Sequence, residues 1–156
     1  MRYGFTLIEL LIATAVLAVV LIAGTMSYRG ARLRAEVREG RNALAQIFRE
    51  ARAVAQRQNI PVRISFTNTG RPSALIEAES QRERPLAAGL LYHYTKDGVH
   101  WYALDRLPKV TYTPPFGETG ASSTLFRVRQ RRRPQIQACL RIVGVTGRVV
   151  LARACP

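Results

Sequence analysis

Acidic side chains are scarce in this 156-residue chain: 10 against 24 basic ones, and none from Thr119 to Pro156. Those few acids are scattered, the serines have no neighbouring histidine in a catalytic pattern, and no glycine-rich phosphate loop follows a strand. The usual routes to acid–base, nucleophilic or phosphoryl-transfer chemistry are therefore closed, and the chain reads as a non-enzyme with no cofactor. Histidine is equally sparse, with only His93 and His100, and neither lies near a cysteine in sequence, so no metal site is expected. Proline is missing from residue 5 to residue 60, which permits one uninterrupted helix of about 80 Å. The length allows one long helix and one soluble domain of about a hundred residues, and not two independent cores.

What is present is concentrated at the two ends. From Phe5 to Ala23 the chain is apolar, with Glu9 as its only ionisable side chain, long enough to span a bilayer core as a helix. A secretory signal peptide would instead have a longer basic start and an apolar core free of acids. A lone carboxylate at that depth costs roughly 2.5–3.5 kcal/mol, so Glu9 calls for a partner. Charge counting alone would place Arg29, Arg32 and Arg34, which follow the span, in the cytoplasm.

The start Gly4-Phe5-Thr6-Leu7-Ile8-Glu9 resembles the processing site and membrane segment of type IV pilins and pseudopilins. The resemblance implies that prepilin peptidase cuts between Gly4 and Phe5 and that Phe5 becomes the N-methylated first residue. It implies that Glu9 neutralises the new α-amine of a neighbouring subunit during filament assembly. It also places the head in the periplasm, opposite to the charge count, because the peptidase reads the leader from the cytoplasmic face. The expected divisions are a leader at 1–4, a transmembrane helix at 5–23, an amphipathic continuation at 24–58 and a β-rich head at 60–156. The expected setting is the bacterial inner membrane, then a pilus or pseudopilus that reaches the cell surface. The implied partners are major and minor pilins, the peptidase and an inner-membrane assembly platform.

After residue 24 the helix turns amphipathic: Leu33, Val37, Leu44, Ile47, Phe48, Ala51, Val54 and Ala55 recur at three- and four-residue steps. Gly24, Gly30 and Gly40 weaken it locally, and Pro61 marks its end. Beyond Pro61 the period becomes two. Strands are expected at 62–66, 73–79, 90–96, 99–104, 109–113, 124–130, 136–143 and 148–154, with 81–85 a charged loop. Asp97-Gly98 signals a tight hairpin in which Tyr94 faces Trp101, with His93 and His100 on the opposite side. The fold class is α+β: a long helix packed on a mainly antiparallel sheet.

The last strands resemble the C-terminal end of GspH/FimT-type minor pilins, through Cys139-Leu140-Arg141-Ile142-Val143 and Gly147-Arg148-Val149-Val150. In FimT-type proteins linked to DNA uptake a Gly-Arg-x-Arg motif helps bind DNA. Gly147 and Arg148 match its first half, and Val150 stands where the second arginine would be. Export also implies that Cys139 and Cys155 pair, closing a loop worth roughly 3 kcal/mol.

Arginine supplies 22 of the 24 basic residues, and the net charge is +14. Such an excess points to polyanions. Arg127, Arg129 and Arg131 alternate on one strand face, Arg132 and Arg133 extend into a turn, and Arg148 opens the last strand. These six form a candidate clamp for the DNA backbone, since the arginine fork suits phosphate oxygens. Two readings stand. The head captures DNA during natural transformation, or the arginines are a solvated or subunit-facing surface. On the second reading the chain is a structural H-type pseudopilin of a type II secretion system or a ligand-free pilus-initiation subunit.

Overall fold

The computed structural model describes residues 6–67, 72–120, 123–152 and 154–155. The expected cleavage site, Gly4 and Phe5, lies outside the described residues. Helix α1 covers Leu7–Gln58. It stops where Asn59 takes a left-handed φ of 54°, two residues before Pro61. The chain divides into two units, 1–35 and 36–156.

In the first unit the large apolar side chains between Leu7 and Ile22 are exposed. An 18-residue window of α1 has a mean hydropathy of 2.7, and α1 is long and apolar enough to cross a membrane. Its hydroxyls bond within the helix: Thr14 Oγ1 donates to the Leu11 carbonyl and Thr25 Oγ1 to that of Ile22, each at 2.9 Å.

The second unit holds the core. Strands β1 (Val62–Thr67), β2 (Ser73–Glu77), β3 (Gln81–Pro85) and β6 (Val110–Tyr112) form one antiparallel sheet in the order β3-β2-β1-β6. Strands β4 (Leu90–Thr95), β5 (Tyr102–Ala103), β7 (Thr124–Gln130), β8 (Gln137–Val143) and β9 (Arg148–Leu151) form a second, in the order β5-β4-β7-β8-β9. The expected α+β class is observed, with two sheets in place of one. Buried Phe48 of α1 joins them, its ring 5.8 Å from Phe66 of the first sheet and 5.0 Å from Phe126 of the second.

Three local readings need correction. Residues 81–85 are edge strand β3 and not a loop: all five are exposed, and backbone pairing with β2 holds them. Two ion pairs to Glu50 of α1 add to this, from Arg84 at 2.8 Å and Arg82 at 3.8 Å. Gly40 does not melt the helix. It packs tightly on the second sheet, where a Cβ would collide with Leu90 and crowd Tyr92 and Val128.

The third concerns the hairpin. Asp97 Oδ1 accepts hydrogen bonds from Thr95 Oγ1 (2.7 Å) and from the amides of Val99 and His100 (3.0 Å each). That holds the chain in a six-residue loop, 96–101, in place of a two-residue turn. The register is consequently shifted. Tyr94 pairs with Tyr102, not Trp101, with ring centroids 5.7 Å apart. His100 turns to Asp97 Oδ2 at 2.7 Å, away from His93.

Candidate functional site

On β7 the side chains alternate across the second sheet. Phe126 and Val128 enter the core, while Arg127 and Arg129 stand half-buried on the opposite, outer face. β7 is the middle strand of its sheet, so the arginines lie on a broad surface and not on an edge. Arg131 falls just beyond the strand end, exposed with Arg132 and Arg133 in the turn to β8. That turn is held by the Gln130 amide donating to the Ile136 carbonyl (3.1 Å) and the Arg132 amide donating to Gln130 Oε1 (3.2 Å). Arg148 lies at the far end of β8, opposite Val143, and so is separated from the 131–133 turn by the length of that strand. The six expected residues therefore do not form one cluster.

The register supplies what the sequence spacing hides. Leu125 is opposite Arg141, and Arg141 is opposite Val150. Each further residue on the outer face lies one diagonal step away: Arg127 to Arg141, then Arg141 to Arg148. Arg129 extends this line along β7, about 7 Å from Arg127, so the four make a continuous track that follows β7 and then crosses β8 and β9 obliquely in steps of about 7–8 Å. Arg141 completes this track and was missed as a site residue, because its role depends on pairing and not on local pattern. Gly147, the first half of the Gly-Arg pair, has a structural reason to be glycine. Its φ is +60°, and a Cβ there would sit 2.7 Å from the Gly117 carbonyl oxygen and 2.8 Å from Tyr112 Cε1.

The ion pairs among the described residues lie elsewhere in the head: Glu50 with Arg82 and Arg84, Glu77 with Lys109 at 3.0 Å, and Asp97 with His100. Lys109, before Ser65, holds the Glu77 carboxyl below the usual carboxylate range. Among the described residues, no acid pairs with Arg127, Arg129, Arg131, Arg132, Arg133, Arg141 or Arg148. Trp101 also stands on this face, the Arg127 guanidinium carbon 3.9 Å from its ring centroid. His93 lies directly opposite Arg127. Burial, then the charges of Arg129 and Arg127, pull the His93 pKa below the ordinary imidazole value. Burial, then Arg129, also lowers that of Arg127.

Beside the track and on the same face, Cys139 forms a disulfide with Cys155, the Cα atoms 5.4 Å apart. Cys139 faces Arg127, so the bond ties the C-terminal segment beside the arginines. At the opposite end of the chain, Thr6 and Glu9 hold each other. The Thr6 amide and hydroxyl each donate to Glu9 Oε2 at 3.0 Å, and the Glu9 amide donates to Thr6 Oγ1 at 3.3 Å. Thr6 is the N-cap of α1 and Glu9 its third residue, a reciprocal cap written in the sequence as Thr-x-x-Glu.

The prokaryotic N-terminal methylation motif matches residues 1–25. No curated protein matches the chain in sequence. The fold is similar to that of the type IV minor pilin FimU of Pseudomonas aeruginosa, with a TM-score of 0.59 and 16% identity over 79% of this chain and 97% of that one. The chain thus combines a prokaryotic N-terminal methylation motif with a fold similar to that of a type IV minor pilin.

Proposed function

We propose that the chain is a minor pilin whose head grips the sugar-phosphate backbone of DNA during uptake, and that its role is structural and not catalytic. On this reading, prepilin peptidase cuts between Gly4 and Phe5, and residues 5–23 hold the precursor in the inner membrane with its head in the periplasm. Glu9 then meets the amine of a neighbouring pilin as the assembly platform draws the subunit into a filament. Thr6 holds the Glu9 carboxylate by two hydrogen bonds, which lowers the cost of keeping it in lipid.

One observation carries the DNA reading: the oblique track Arg129–Arg127–Arg141–Arg148 crosses one sheet face with no acidic partner among the described residues. A surface meant only to be solvated gains nothing from such alignment, whereas a polyanion with regularly spaced phosphates does. Arg131, Arg132 and Arg133 prolong the track at its β7 end. Binding of this kind is independent of sequence and sensitive to salt.

The test is fluorescence anisotropy of labelled duplex DNA with the full chain in detergent micelles. Four phosphate contacts give a loss of affinity on the order of 100-fold between 50 and 200 mM salt. Arg141→Glu with Arg148→Glu weakens binding uniformly across sequences, at least tenfold more than Arg38→Glu with Arg49→Glu, an equal reversal on the exposed face of α1. Equal losses in the two pairs, or no binding at ~50 mM salt, remove the DNA reading.

A further inference from the structure

Three nitrogens on the outer face of the second sheet are buried without a hydrogen-bond partner among the described residues: Nδ1 of His93, Nε of Arg127 and Nε of Arg129. They are neighbours by register. Arg127 is opposite His93, and Arg129 is opposite Leu91, one step along the same face of β4. Trp101 lies against Arg127, its ring centroid 3.9 Å from the guanidinium carbon, and so limits where that side chain swings. Buried polar nitrogens of native proteins are nearly always paired, and leaving a charged donor unpaired is costly. Three in one place, two of them on permanent cations, describe a surface prepared for an acceptor that none of the described residues supplies.

We infer that His93, Arg127 and Arg129, bounded by Trp101, form a seat for a single tetrahedral oxyanion, and that filling the seat adds a proton to His93. The anion is a phosphodiester of the DNA backbone or a free sulfate-like ion; this deepens the DNA reading above and rests on it only for the first source. The groups that face His93 are Arg127 and Arg129 from β7, Ala103 from β5, Trp101 from the loop before it, and Leu91 and Thr95 on its own strand. None of these is acidic. Without an anion, burial, then Arg129 and Arg127, favour the neutral imidazole over the charged one. An anion between them reverses the local field, so Nδ1 becomes a donor in a charge-assisted bond. Because the bound form carries one more proton, affinity rises as pH falls, by up to tenfold per unit. The seat thereby grips more firmly in acid and releases toward alkaline pH.

Trp101 is the only tryptophan of the chain, so in the folded protein tryptophan fluorescence responds at this seat. The full chain in detergent micelles is titrated at pH 6 and pH 8, with ionic strength held by chloride. The probes are sodium sulfate and a short oligodeoxynucleotide, neither of which changes charge in that range. The expected result is a saturable Trp101 response to both, at least fivefold tighter at pH 6, and the same affinity at both pH values in His93→Gln. If His93→Gln loses its far-UV spectrum, Arg127→Lys takes its place and is expected to abolish the sulfate response. A sulfate response without an oligonucleotide response keeps the seat and removes DNA as its occupant. DNA binding by anisotropy with a silent Trp101, or a pH step that survives His93→Gln, overturns the seat and leaves the DNA reading standing. Silence toward both probes without DNA binding removes both.

Discussion

Replacing Gly147 with alanine separates two costs that usually arrive together. The first is conformational: a left-handed backbone costs a non-glycine residue about 1–2 kcal/mol, and the φ of Gly147 is +60°. The second is packing: the new Cβ lies 2.7 Å from the Gly117 carbonyl oxygen, a backbone atom, and 2.8 Å from the ring of Tyr112, which is fully buried. Neither neighbour is the free end of a flexible side chain, so relief needs a backbone shift, at about 1–3 kcal/mol. Together the loss is about 2–5 kcal/mol, or roughly 8–20 °C in Tm for a head of this size. Gly98→Ala is the control. Its φ is +79° with nothing within 4 Å of the added carbon, so only the first cost applies, about 1–2 kcal/mol. Any gain from a stiffer unfolded chain is common to both and cancels in the difference. Thermal unfolding of the full chain in detergent, followed by Trp101 fluorescence, reads both variants. If Gly147→Ala melts no lower than Gly98→Ala, the close approach to Gly117 and Tyr112 is not a constraint, and the structural reason for this glycine is wrong.

Two further outcomes follow from the packing. Gly40→Leu drives a side chain into Leu90, Tyr92 and Val128, and should cost at least about 2 kcal/mol even though leucine is the better helix former; an unchanged Tm would show that α1 and the second sheet are not in tight contact there. Removing the Cys139–Cys155 bond by a double alanine substitution opens a loop with a sequence separation of 16 and should cost roughly 3 kcal/mol. Reduction of the unaltered protein should lower Tm by the same amount, and a difference between the two would assign part of the loss to the lost packing of Cys139.

Much of the architecture was legible because its signals are local. The apolar run with one carboxylate, the three- and four-residue stripe after Leu33 and the alternation in Val62–Phe66 and Thr124–Gln130 each carry their own period. β3 was not, because Gln81–Pro85 buries no side chain and so shows no apolar alternation to read. The division into two sheets was also hidden: β6 pairs with β1, about fifty residues earlier, and no local pattern selects that partner. The hairpin failed for a chemical reason, since Asp97-Gly98 favours a tight turn until Thr95 and two amides compete for the same carboxylate. The arginine surface was legible in composition but not in shape. Arg141 and Arg148 join Arg127 only through the β7–β8–β9 register, and Trp101 joins it only after the loop has moved it off the cross-strand pair. The Thr6–Glu9 cap is written locally as Thr-x-x-Glu, but the same glutamate is also the lone acid of an apolar span, and the sequence alone does not separate the two roles.

Strand β3 has a consequence of its own. It ends its sheet with an open row of backbone donors and acceptors, the kind of border on which stray chains stack into aggregates. Here Arg82, Glu83 and Arg84 crowd that border with charge, and Pro85 removes the last donor. Sheet-to-sheet growth along this side is thereby disfavoured, because a stacking strand would have to strip water from these charges and would find no donor at Pro85.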